Sequence, residues 1–185
     1  MKDMKHGPMS IFEANAAELE KLRERVHEMS RERSKSPEHT TAWREAALAF
    51  HTEYDKLAFP GGLMREFELL RAGDVTAIEM AIRFLEANPW FFRSGYYKVD
   101  ILKLLRKHPL SDEQCARMRT VILERVRDRP VREMRAYARF APKVSTPQFE
   151  AEITSIAESA NRYAARHAQW VIDCLKSSRG TPRQG

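Results

Sequence analysis

Large apolar residues recur at alternating three- and four-residue steps in three long segments of the chain. From Phe12 the series runs Leu19, Leu22, Val26 and Met29; from Trp43 it runs Ala47, Phe50, Tyr54 and Leu57. From Phe149 it runs Ile153, Ile156, Ala160, Tyr163, His167, Trp170 and Cys174. That spacing sets each series on one stripe of a helix and leaves the other faces polar, so the pattern predicts an all-α chain. Ser10 and Glu13 form a capping box that opens a helix expected to reach Glu32. Ser36–Pro37 opens a second helix, with proline at the first helical position, and Phe59–Pro60–Gly61–Gly62 stops it after Ala58. Two helices of similar length with a short polar link predict an antiparallel hairpin over residues 10–58, with Asn15 in its seam.

Beyond Gly62 the pieces shorten. Leu63, Phe67 and Leu70 mark a helix ended by Gly73; Asp74 caps one carrying Ile78, Ile82 and Leu85, closed by Asn88–Pro89. A helix over 96–107 carries Val99, Leu102 and Leu105, and Ser111 with Gln114 caps another that reaches Arg127. Pro130 opens a short helix to Phe140, and Thr146–Pro147 opens one long final helix. These pieces predict stacked helix pairs over 63–176, with flexible ends at 1–9 and 177–185. Segments Asp74–Asn88, Tyr96–Lys107, Asp112–Arg127 and Val131–Phe140 resemble, in format, the antiparallel helix pairs of HEAT or armadillo-like solenoids. That resemblance implies a curved stack with a concave binding surface; an irregular helical bundle is the other architecture the pattern allows.

The net charge of +6 changes the picture because it is uneven: residues 1–60 sum to −1, 61–110 to +2 and 111–185 to +5. Most of the excess is arginine between Arg117 and Arg139, which fits an acidic partner or nucleic acid. The two cysteines, Cys115 and Cys174, each fall on the apolar side of a helix, so free thiols and a reducing, cytoplasmic location are expected. No apolar run is long enough to cross a bilayer, and the N-terminal segment has no apolar signal region; no membrane partner is expected.

Candidate chemistry is sparse. A di-iron bundle needs two Glu-x-x-His helices, and only Glu24 with His27 has that form. Zinc spacing, a Gly-x-Ser-x-Gly elbow and glycine-rich phosphate loops are missing from the sequence. No catalytic, metal or cofactor residue is therefore nominated. His167, inside an apolar series, reads as a core-edge imidazole bonded to a backbone carbonyl, with a pH-responsive or catalytic imidazole as the alternative.

Two features carry the binding expectation. Arg132, Arg135 and Arg139 lie within about 60° of one another on a helix, opposite Val131, Met134 and Ala138. Arg125, Arg127 and Arg129 lie just upstream and extend the patch. The aromatic turn Trp90, Phe91, Phe92, Tyr96 and Tyr97, with Arg93 and Lys98 beside it, reads as core plugging or as a recognition surface, with Tyr97 reaching solvent. Together they lead to a non-enzymatic interaction module, of adaptor or inhibitor type, that binds another protein through Arg125, Arg127, Arg129, Arg132, Arg135, Arg139, Trp90, Arg93 and Tyr97. Nucleic-acid binding by the C-terminal arginines is the first alternative, and an enzyme whose site is assembled from separated helices is the second. The hairpin's narrow stripes also allow a homodimer.

Overall fold

The structure, a computed structural model, describes residues 10–128 and 131–180. The expectations for residues 1–9, Arg129, Pro130 and 181–185 lie outside the described residues. Within them the regular structure is helical throughout: α1 (Ile11–Glu32), α2 (Pro37–Ala58), α3 (Leu63–Ala72), α4 (Val75–Ala87), α5 (Ser94–Leu105), α6 (Asp112–Arg127), α7 (Met134–Val144), α8 (Pro147–Ala157) and α9 (Arg162–Gly180). Among the described residues no helix is long and apolar enough to cross a membrane. The chain divides into two compact units, one running to Ala72 and including Ala87–Ser94, the other formed by Gly73–Glu86 and the residues from Gly95 onward.

The first unit is built on the hairpin. Both arms of the Ser10–Glu13 capping box are made, and Ser36 caps α2 by accepting from the His39 N–H. Phe12 near the start of α1 meets Phe59 just past the end of α2, ring centres 5.8 Å apart, so the two helices run antiparallel. At the other end Thr40 Oγ1 donates to the Arg33 carbonyl at 2.6 Å, and the Arg33 guanidinium lies 5.2 Å above the Trp43 ring. Gly61 and Gly62 turn the chain with φ of +91° and +93°, a region open to glycine at no steric penalty. Phe12, Ala16, Leu19, Ala46 and Ala58 are buried, whereas Leu22, Val26, Met29, Trp43 and Phe50 are half-buried. A single partner helix covers a stripe from one side only, which accounts for that gradient.

The second unit holds the larger core, including Ile82, Leu85, Leu102, Leu105, Met118, Ile122, Met134 and Phe140. Helices α6 and α7 pack as a pair, as do α8 and α9; α6 also meets α8, and α7 meets α9. Side chains carry the same order back along the chain. Arg117 of α6 grips Glu79 and Glu86 of α4, and Glu133 at the start of α7 faces Lys98 of α5. Helix α6 also packs on α9, and packing of this kind is shared by solenoid-like stacks and helical bundles.

Three boundaries differ from the sequence expectation. The long final helix is two helices, because Asn161 caps α9 by accepting from the N–H groups of Tyr163 (3.1 Å) and Ala164 (3.2 Å). Ala160 and Tyr163, expected on the buried stripe, are exposed at this break. The expected helix to Phe140 instead spans Met134–Val144, because Met134, Tyr137, Ala141 and Val144 bury one continuous face across Pro142. Finally, α9 continues through Gly180, into the segment expected to be a flexible end.

A basic groove as the candidate functional site

Burial of Met134, Tyr137, Ala138, Ala141 and Val144 leaves Arg135 and Arg139 on the outer face of α7, exposed together with Arg132 just before the helix. The register of α9 is fixed by Ala164, His167, Ala168, Val171 and Leu175, which are buried. Arg166, Trp170, Asp173 and Cys174 therefore lie along the edge of α9 that adjoins α7. Two open depressions, of about 270 and 770 Å³, run between these helices and share Arg139, Asp173 and Cys174. Arg135 and Trp170 line the smaller one, and Arg106 and Lys143 line the larger.

Charge in this groove is unbalanced. Among the described residues no carboxylate forms an ion pair with Arg106, Arg135 or Arg139. Asp173 lines both depressions, but its carboxylate accepts from Gln169 Nε2 at 2.8 Å rather than from an arginine. Lys143 Nζ donates to the Arg106 carbonyl at 3.2 Å, which pins the ammonium beside that residue. The guanidiniums of Arg135 and Arg166 lie 5.0 and 5.4 Å from the Trp170 ring centre, where the π face attracts cations. Burial pushes the Cys174 thiol above its ordinary value, with the positive charges of Arg139 and Arg106 opposing that shift. A thiol so placed stays neutral at physiological pH and is a poor nucleophile.

The remaining predicted residues are dispersed. Arg125 does not extend the exposed stripe: its side chain is only 13% exposed and pairs with Asp128 at 3.1 Å. Arg127 pairs with Glu152 at 3.8 Å, and Arg132 Nη1 donates to Tyr96 Oη at 3.3 Å. The aromatic turn is split between the two units, Trp90 and Arg93 in one and Tyr97 in the other. Phe91 is buried as a plug, whereas Trp90 (63%) and Tyr96 (61%) reach solvent and Tyr97 is half-buried. Phe92 is tied to the hairpin: its N–H donates to Glu20 Oε1 at 2.9 Å, its carbonyl accepts from Tyr54 Oη, and the Arg23 and Arg93 guanidiniums lie 5.5 and 5.3 Å from its ring centre.

His167 is 0% exposed, and its Nδ1 donates to the Val126 carbonyl at 3.3 Å. A carbonyl only accepts, so the proton sits on Nδ1. With no path to solvent, this imidazole ties α9 to α6. Lys98 is likewise buried, 2% exposed, beside Glu133 at 3.8 Å.

The groove is thus a cluster of open cations without an adjacent activated nucleophile, an arrangement that attracts and orients anions. Arg135 and Arg139 were legible from helical spacing. Arg166 and Trp170, one helical turn apart, carried a weak signal. Arg106 and Lys143 carried none, because only the folding together of α5, α7 and α9 makes them neighbours. No protein-family model, no curated protein and no solved structure matches the chain. The likeness to HEAT or armadillo-like stacks accordingly rests on helix-pair format.

Proposed function

We propose that the chain is a non-enzymatic interaction module that docks an acidic segment of another protein in the groove between α7 and α9. The observation that carries this reading is the set of three arginines, Arg106, Arg135 and Arg139, that share one groove without an ion-pair partner among the described residues. Arg117 and Arg125 meet carboxylates of their own fold, whereas among the described residues Arg106, Arg135 and Arg139 do not and lie together along one groove. Leaving three solvated along one groove supports recognition of an external anion. Trp170 supports a protein over single-stranded nucleic acid, because its ring already carries two guanidiniums and a stacking base must displace one of them.

Fluorescence anisotropy of a labelled Asp/Glu-rich peptide tests the reading. Binding should saturate, weaken with salt, and fall about tenfold or more in Arg139→Glu. Arg127→Glu, outside the groove, should leave it nearly unchanged. Equal binding by both variants would place the contact elsewhere. Tighter binding of a single-stranded oligonucleotide than of the peptide, lost in Arg139→Glu, would replace this reading with the nucleic-acid one.

A further inference from the structure

We infer that the anion received by the larger depression is a phosphoryl group on a protein segment, a phosphoserine or phosphothreonine, rather than a run of carboxylates. The inference rests on the reading above and narrows its ligand. The first argument is charge. Arg106, Arg139 and Lys143 line this depression against one carboxylate, Asp173, and the rest of its lining is uncharged. The excess of two positive charges matches the charge of about −1.5 to −2 on a phosphorylated side chain near neutral pH. A single carboxylate leaves half of that excess uncompensated, and a run of carboxylates meets it only by bringing two side chains into the same depression, where one phosphoryl group does so alone.

The second argument is direction. Arg106 follows α5 while Arg139 and Lys143 lie on α7, and all three line the same depression. Cations from different elements therefore border one trough, and the ammonium of Lys143 is held there by the Arg106 carbonyl. A carboxylate is planar and is satisfied by one bidentate fork. A phosphoryl group presents three oxygens in a pyramid and accepts from several directions at once. The third argument is access. The depression is an open trough of about 770 Å³, so a group carried on an extended segment can lie in it without an enclosing lid.

The test uses the full chain and short labelled peptides identical except at the centre, which carries phosphoserine, serine or two adjacent glutamates. The phosphoserine peptide should bind at least about tenfold tighter than the glutamate peptide, and the serine peptide should not bind. Arg106→Gln and Arg139→Gln, both at exposed positions, should each weaken the phosphopeptide about fivefold or more, with the helical circular dichroism unchanged. Inorganic phosphate at millimolar concentration should compete. Equal binding of the phosphoserine and glutamate peptides would overturn this inference and leave the acidic-segment reading standing. Binding of neither would overturn both. Phosphopeptide affinity that is indifferent to Arg106→Gln and Arg139→Gln would overturn the assignment to this groove.

Discussion

Lys98 sits on α5 with its ammonium almost wholly removed from water, and Glu133 Oε1 stands 3.8 Å away. Burial pulls its pKa down to about 8; the Glu133 charge opposes that shift and the nearby Arg125 charge adds to it. An unfolded lysine titrates near ~10.4. Between these values the unfolded chain binds more protons than the folded one, so stability rises with pH across that window. Tyr137 acts in the opposite sense. Its hydroxyl is buried without a hydrogen-bond partner among the described residues, and desolvation pushes its pKa up. The stability it contributes is complete below an unfolded tyrosine's pKa of ~10 and is lost above it. Thermal unfolding followed from pH 7 to 11 should therefore show Tm climbing from about pH 8, then turning over near pH 10. Lys98→Met should flatten the rising limb. A wild-type Tm that is flat or falls between pH 8 and 10 would show that Lys98 keeps an ordinary pKa in the fold.

At the scale of elements, α4 and α6 are joined by one side chain. Arg117 Nε and Nη2 both donate to Glu86 at 2.7 Å, while Nη1 donates to Glu79 at 2.8 and 3.0 Å. The Glu86 bonds, burial opposing them, dominate in raising the Arg117 pKa. Because the guanidinium is about a quarter exposed, the gain is discounted for solvent screening. Arg117→Met should cost about 1–2 kcal/mol in urea unfolding, and Arg117→Lys should recover less than half, since an ammonium cannot reproduce the paired fork. Full recovery by lysine would show that only the charge matters. The break between α8 and α9 belongs to this scale as well. One asparagine carbonyl ends a periodicity that otherwise runs through, and a hydrophobic count cannot see it.

Across the whole molecule, burial is concentrated in the second unit. There α6, α7 and α9 each bury several large side chains, whereas the hairpin beyond Leu19 buries only Ala46 until α2 returns to Ala58. Local opening follows the number of buried apolar contacts. Hydrogen exchange should therefore release the amides of about residues 22–50 well before those of α6, α7 and α9. Protection of the hairpin that grows with protein concentration would instead reveal a second copy seated along its half-buried stripe.

The sequence by itself determined the helices, most of their ends and which face of each is apolar. These depend on contacts within four residues: the Ser10–Glu13 and Ser111–Gln114 capping boxes, Pro37 at the first turn of α2, and Gly61–Gly62 at its exit. It also placed Arg135 and Arg139 on one exposed face, since the angle between them follows from the helical repeat alone, whereas Arg132, expected on the same helix, lies in the turn before it. It misplaced the start of α7, whose upstream segment has no strong apolar period, and it missed the Asn161 cap inside a continuous stripe. What only the tertiary structure decided is which cations are used up and which are left. Arg117 and Arg125 look no different in sequence from Arg135 and Arg139, yet the first two meet carboxylates through packing or a turn and the others do not. Arg106 and Lys143 are far apart along the chain and share a depression only because the fold brings Lys143 of α7 to the Arg106 carbonyl just past α5. Charge pairing acts through space over a few ångströms, so a one-dimensional pattern cannot report it.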